Sequence, residues 1–160
     1  MQAESETQND GRLKRLIEKS RVLYATEPEI WCPYFKSKIT LNADGFNHLL
    51  YKPNRQPRNV SEQILKLSLL RKAIGVIRQT GTLQEFRNRI EKLGKPAKDG
   101  FMKTKHVQYW GFHAILGEEK LIKIVVVVKQ NGDGKLIFWS VLPHKRFNNP
   151  KLYSEGIEED

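Results

Sequence analysis

Hydrophobic residues recur along this chain with two different periods, and the change of period divides it. After Asn59, the residues Leu67, Leu70, Ile74 and Ile77 form one stripe, and Leu65, Leu69, Ala73 and Val76 widen it. Spacings of three and four are the helical period, so a helix is predicted from about 60 to 79. Asn59 is placed to cap it, with Glu62 three residues later in a capping-box arrangement. Only Ser68, Arg71, Lys72 and Gly75 leave a narrow polar face, so most of this helix should be buried. The tripeptide "TGT" ends it. Thr82 and Glu85 repeat the capping pattern, and Leu83, Phe86, Ile90 and Leu93 predict a second amphipathic helix over 82–93, closed by Gly94.

The flanking segments read differently. Residues 1–10 are polar and predict a disordered lead. "RLKRLIEKSRVLYA" carries a weak helical stripe in Leu13, Leu16, Ile17 and Leu23, and the prolines of "EPEIWCPYF" then interrupt it. Residues 11–38 are therefore expected to be a helix followed by a Pro-containing arm, packed on the body or offered to a partner. Phe46, Leu49 and Leu50 share one face of a short helix near 43–51, with His48 off that face, and "KPNRQPR" is a loop. Beyond "GKPAKDGFMKTK" the period falls to two. Trp110, Phe112, Ala114 and Leu116 alternate with Tyr109, Gly111, His113 and Ile115. "LIKIVVVVK" is a second, β-branched strand, "QNGDGK" is a hairpin signal, and "LIFWSVLPHKR" is a third strand. The fold class is α+β, with N-terminal helices packed on a C-terminal antiparallel meander. A single domain over 39–146 precedes an acidic tail over 147–160.

Charge changes what this frame is expected to do. The chain of 160 residues carries a formal net charge of +10. Between Lys52 and Arg146 there are 20 Lys/Arg against 7 Asp/Glu, while the flanks hold 8 basic and 11 acidic residues. A basic body of this kind favours polyanions, above all nucleic acid. Cys32 is the only cysteine, which excludes an internal disulfide and favours a reducing compartment. The polar start lacks the apolar core of a signal peptide, and no apolar run is long enough to span a bilayer. A cytoplasmic protein without membrane contact is the expectation.

Candidate chemistry follows from the histidines and cations. His48 is followed closely by Lys52, Arg55 and Arg58, which suits an acid/base group beside a phosphate clamp. Tyr109 and His113 share one face of the first strand; Lys123 and Lys129 share one face of the second, with Val125 and Val127 between them. Ser140 lies between large residues of the third strand, with Trp139 expected on the opposite side, and His144, Lys145 and Arg146 come where that strand should end. Tyr109 and Trp139 are candidates to stack on a base, and Lys105 adds a cation in the basic stretch before Tyr109. No glycine-rich phosphate loop and no paired Cys or His-Glu spacing for zinc is present. Neither a metal nor a cofactor is expected.

The order "GFNHLL", "YWGFHAI", "IKIVVVV", "IFWSVLP" resembles the barnase–EndoU–colicin–RelE superfamily of metal-independent ribonucleases, in its small phage- and mobile-element-associated form. The resemblance spans about residues 39 to 146. It implies attack of a ribose 2′-hydroxyl on the adjacent phosphate, leaving a 2′,3′-cyclic phosphate. It also implies His48 as acid/base group, Ser140 as the late-strand hydroxyl, Lys52, Arg58 and Lys123 as the cationic clamp, and His113 or His144 as the second proton carrier. The expected partner is RNA, with tRNA or message as targets, and a toxin or defence effector of this type would also need an inhibitor protein. The acidic tail could play that part in cis. Two other classes fit the residues. A basic binding module without catalysis could use 60–79 and 82–93 as a helix-turn-helix, and an interaction protein could meet an acidic partner.

Overall fold

Residues 2–119 and 121–143 are described by the structure, a computed structural model. The chain runs α1 (Gln2–Thr26), β1 (Glu29–Cys32), β2 (Ser37–Thr40), α2 (Ala43–Leu50), α3 (Val60–Gln79), β3 (Glu85–Leu93), β4 (Lys103–Leu116), β5 (Ile122–Asn131) and β6 (Leu136–Pro143). The six strands form one sheet in the order β1-β2-β6-β5-β4-β3. Consecutive members of β3–β6 pair antiparallel, as do β1 and β2. The two sets meet at a single parallel pairing, Thr40 with Ile137. The α+β class and the C-terminal meander therefore hold, with one more strand in the meander than expected and a two-stranded extension at its edge.

The main core lies between the helices and one face of the sheet. Leu49, Leu70, Ile74 and Ile77 from α2 and α3 meet Phe112, Ile124, Val126, Val128 and Phe138 from the strands. The predicted stripe of α3 faces this core, and Asn59 Oδ1 accepts the Glu62 backbone N–H at 2.8 Å as its cap. A smaller cluster, Val107, Tyr109, Val125 and Val127 with Trp139 and Leu142, lies on the other face. β5 is buried on both sides, which is why its valines run unbroken rather than alternating.

Two expectations are corrected, and one that was left open is decided. The segment 82–93 is not a helix: Glu85 to Leu93 pair residue by residue with β4, from Glu85 opposite Gly111 to Leu93 opposite Lys103. Phe86 and Ile90 lie four apart, a spacing that shares a face in a helix and equally in a strand. Pairing with the otherwise open edge of β4 decides between them, and the helix-turn-helix alternative falls with the helix. Second, residues 2–10 are helical rather than a disordered lead. They contain no proline, Glu4 complements the helix dipole, and the packed turns carrying Leu13, Leu16, Ile17 and Leu23 supply the nucleus from which helix propagates backward. Third, the Pro-containing arm is part of the body. Ile30, Cys32 and Ile39 are buried, and the Tyr34 and Phe35 rings pack edge-on against Phe112 and Trp110. Among the described residues no helix is long and apolar enough to cross a membrane.

Candidate functional site

A cleft of about 870 Å³ opens between α2, the loop after it, and the sheet face opposite the helices. Local chemistry places each wall. Asn42 caps α2 by accepting the Gly45 N–H at 2.9 Å. Gly45 then lies directly on β6: a Cβ there would collide with the Phe138 carbonyl oxygen. This close approach turns Phe46, Leu49 and Leu50 into the main core and leaves His48 facing the second sheet face. There its ring stacks on Trp139, with centroids 4.3 Å apart and planes 21° from parallel.

Behind His48 stands Arg58, which the sequence suggested as part of an open clamp. It is instead buried, donating from Nε to the His48 carbonyl at 3.1 Å and lying with Nη2 3.4 Å from His48 Nε2. A guanidinium can only donate, so the second contact is a hydrogen bond only while Nε2 is unprotonated. Arg58 is a brace for the histidine. Lys52 and Arg55 do face the cleft, presented by a tight turn in which Arg55 adopts φ 66° and its N–H donates to the Lys52 carbonyl at 2.9 Å.

The opposite wall comes from the meander. Lys129 is buried, with Nζ 3.8 Å from the Trp139 ring centre and 5.5 Å from that of Tyr109. Burial pushes its pKa below the ordinary lysine value; Glu91 and Asp44 oppose that shift and Lys105 adds to it. Tyr109 donates its hydroxyl to Glu91 Oε1 at 2.7 Å. Glu91 sits opposite Lys105 across the β3–β4 pair, and Arg89 completes the rim. The charged lining is thus Lys52, Arg55, Arg89, Lys105 and Lys129 against Asp44 and Glu91. Such a cleft suits a phosphate-bearing ligand, with aromatic faces at hand for a base.

His48, Lys52, Arg55, Lys105, Tyr109 and Trp139 from the sequence-derived set all line this cleft. His113, Lys123 and Ser140 do not. His113 lies four residues beyond Tyr109 on β4, roughly 13 Å along the strand, where Nε2 is 3.2 Å from Glu85 Oε2. Lys123 pairs with Ile115 and is the diagonal neighbour of His113, at the same remote end. Ser140 is fully buried and accepts a hydrogen bond from Lys66 Nζ at 2.9 Å; the same ammonium donates to the Val141 carbonyl at 3.2 Å. Trp139 packs with the second-face cluster and Ser140 meets Lys66 of α3, with a bulge between them in the β5–β6 pairing. Val127 pairs with Ser140 and Val128 with Phe138, so Trp139 is the extra residue and strict alternation breaks there. His144, Lys145, Arg146 and the acidic tail lie outside the described residues.

Sequence reasoning missed Arg89 and Glu91, which were hidden by the helical reading of their segment. It underrated Lys129, whose signal was a cation at the parity of Val125 and Val127 in a β-branched run. Lys66 gave no signal, since a lysine in a largely apolar helix reads as its polar face. Ser140→Ala is expected to lower stability by roughly 1.5–3 kcal/mol, because it strips a hydrogen bond from a buried ammonium. Urea unfolding measures that loss; an unchanged midpoint would show that the ammonium is held well enough without the hydroxyl. Among the described residues, no group of three or more His, Cys, Asp or Glu side chains is gathered to hold a metal ion. No family model, no curated protein and no solved structure matches this chain.

Proposed function

We propose that the cleft binds RNA and cleaves it without a metal ion, by attack of a ribose 2′-hydroxyl on the neighbouring phosphorus. The observation that carries this reading is that His48 and Lys129 each contact the Trp139 ring inside a rim of cations. Transesterification needs one group to take the 2′-hydroxyl proton, a second to protonate the departing 5′-oxygen, and cations for the charge on the phosphorane oxygens. His48, stacked on Trp139 in the cleft, takes the proton on its imidazole. Lys129 gives the second proton, and its depressed pKa makes the ammonium a stronger acid than an exposed lysine. Lys52, Arg55, Arg89 and Lys105 hold the phosphates. The P–O5′ bond breaks as the new P–O2′ bond forms, so the products are a 2′,3′-cyclic phosphate and a 5′-hydroxyl. Lys129 thereby replaces His113 as the second proton carrier, and the resemblance to metal-independent ribonucleases agrees in kind.

A second reading, RNA binding without cleavage, is favoured by one observation: His48 is only 7% exposed, with Arg58 beside Nε2. Incubation of the protein with a mixed RNA pool in excess EDTA separates the two. Cleavage leaving cyclic phosphate ends is the expected result. Tight, salt-sensitive retention with no product would give the second reading, and neither retention nor product would overturn both.

A further inference from the structure

The β3–β4 hairpin outgrows the sheet. The last pairing between β4 and β5 is Val107 with Asn131, whereas β3 and β4 remain paired out to Leu93 and Lys103. The His106 carbonyl still accepts the Gly132 N–H of the β5–β6 turn at 2.6 Å. Residues 103–105 of β4 have only β3 beside them, a two-stranded projection of roughly 10 Å that ends in the loop 94–102. Its root is the cleft wall itself, since Glu91 and Lys105 belong to both and Arg89 lies one step inside the sheet, opposite Val107.

Charge and geometry along this projection both have a direction. Lys92, Lys95, Lys98 and Lys103 are exposed, against Asp99 alone in the loop. The tip is already folded: Gly100 N–H donates to the Ala97 carbonyl and Ala97 N–H to the Phe101 carbonyl, both at 2.9 Å, with Gly100 at φ 84°. The Phe101 N–H closes on Asp99 Oδ1 at 3.1 Å, and the residue is 77% exposed. An isolated two-stranded ribbon gains little stability from itself, and a mostly exposed aromatic at its tip adds little. What such an arm does offer is a row of cations and one aromatic face, preorganised beyond a phosphate-binding cleft.

We infer that the β3–β4 arm grips phosphates of a structured RNA outside the cleft, so that the preferred substrate is a folded RNA longer than the cleft rather than a short single strand. The inference rests on the RNA reading of the cleft and deepens it. Lys95, Lys98 and Lys103 meet phosphates of the flanking stem, and Phe101 stacks on a base that the fold leaves unpaired.

The test compares a tetranucleotide, about the smallest single-strand site, with an RNA stem-loop, for the full chain and for a variant carrying Lys95→Ala, Lys98→Ala and Lys103→Ala. Fluorescence anisotropy over a salt series gives both affinity and its salt slope. In the variant, stem-loop affinity should fall at least tenfold and the slope by roughly 2–3, near one per phosphate contact removed. Tetranucleotide affinity should stay within twofold. An unchanged stem-loop slope, or an equal loss for both probes, overturns the arm while leaving the cleft reading intact. Failure of the unmodified protein to bind either probe overturns the cleft reading and the arm together. Phe101→Ser, which leaves every charge in place, should weaken only the stem-loop; equal affinity would remove the stacking contact from the proposal.

Discussion

Lys129→Met is expected to reduce RNA cleavage by about a hundredfold or more, the usual contribution of a positioned proton-transfer group, while the protein stays folded. Methionine keeps an unbranched chain of similar length in the buried space between Tyr109 and Trp139 and removes only the ammonium. His48→Gln should cost a comparable factor. The double variant should lose little more than either single one, because two groups serving one proton-transfer sequence are not additive. Product formation under single-turnover conditions measures all three. A Lys129→Met enzyme within a few-fold of the unmodified protein would remove the ammonium from the mechanism.

The same residue makes a prediction about pH, and its sign is fixed. Burial lowers the pKa of Lys129 in the folded chain. Between that depressed value and the unfolded value of about 10.4, the unfolded chain binds more protons. Stability rises with pH wherever that is so. The Lys129 contribution is therefore least favourable, and constant, below the depressed pKa, and it improves as pH climbs toward the ordinary lysine range. Urea midpoints of the unmodified protein should gain on those of Lys129→Met as pH rises through this interval. A parallel pair of curves would mean that the ammonium is better solvated than its burial implies.

Gly45→Ala is the second large effect, and it acts on the fold. The added methyl would run into the Phe138 carbonyl, a backbone atom that cannot rotate away, and would press on the Ile137 side chain. α2 must then lift from β6. Overpacking against rigid neighbours costs about 1–3 kcal/mol and at times more, and the upper end is expected here because backbone meets backbone. His48 moves with the helix, so its stacking on Trp139 and its contact with Arg58 should loosen as well. Chemical unfolding reads the first loss; the second appears as weaker RNA binding under conditions where the variant is fully folded. Gly75→Ala is the control, since nothing lies within 4 Å of a Cβ there. Equal behaviour of the two variants would show that α2 tolerates more clearance than its packing suggests.

How much of this was legible in the sequence depended on whether one physical rule acted alone. α3 could be read because its apolar stripe and the Asn59 cap point to the same answer. β4 could be read because Trp110 and Phe112 alternate with Tyr109 and Gly111 over a length that no helix would tolerate. β3 was misread because Phe86 and Ile90 satisfy two periods at once, and only the neighbouring strand, far from local information, breaks the tie. The same distance problem governs the site. Lys52, Arg55 and His48 are close in sequence and could be grouped. Lys129, Glu91 and Arg89 join them only through strand register, which the bulge at Trp139 also shifts by one residue. Lys66 reaches Ser140 across 74 positions of sequence, and no local pattern announces a bond of that span.

The single pairing of Thr40 with Ile137 sets an order of assembly. The strands of the meander are sequence neighbours, so each hairpin closes a short loop at little entropic cost. Joining the β1–β2 hairpin to β6 instead closes a loop of nearly a hundred residues around one pairing, and such closure is costly until the contacts it permits are made. The meander can gather first, and the amino-terminal hairpin docks late, once α3 bridges it to β6. Until it does, β6 is an unpaired sheet edge, open to a strand from another chain. The segment up to Thr40 thus also guards one end of the sheet edge: a truncated chain lacking it would keep the cleft residues but leave β6 open at Ile137.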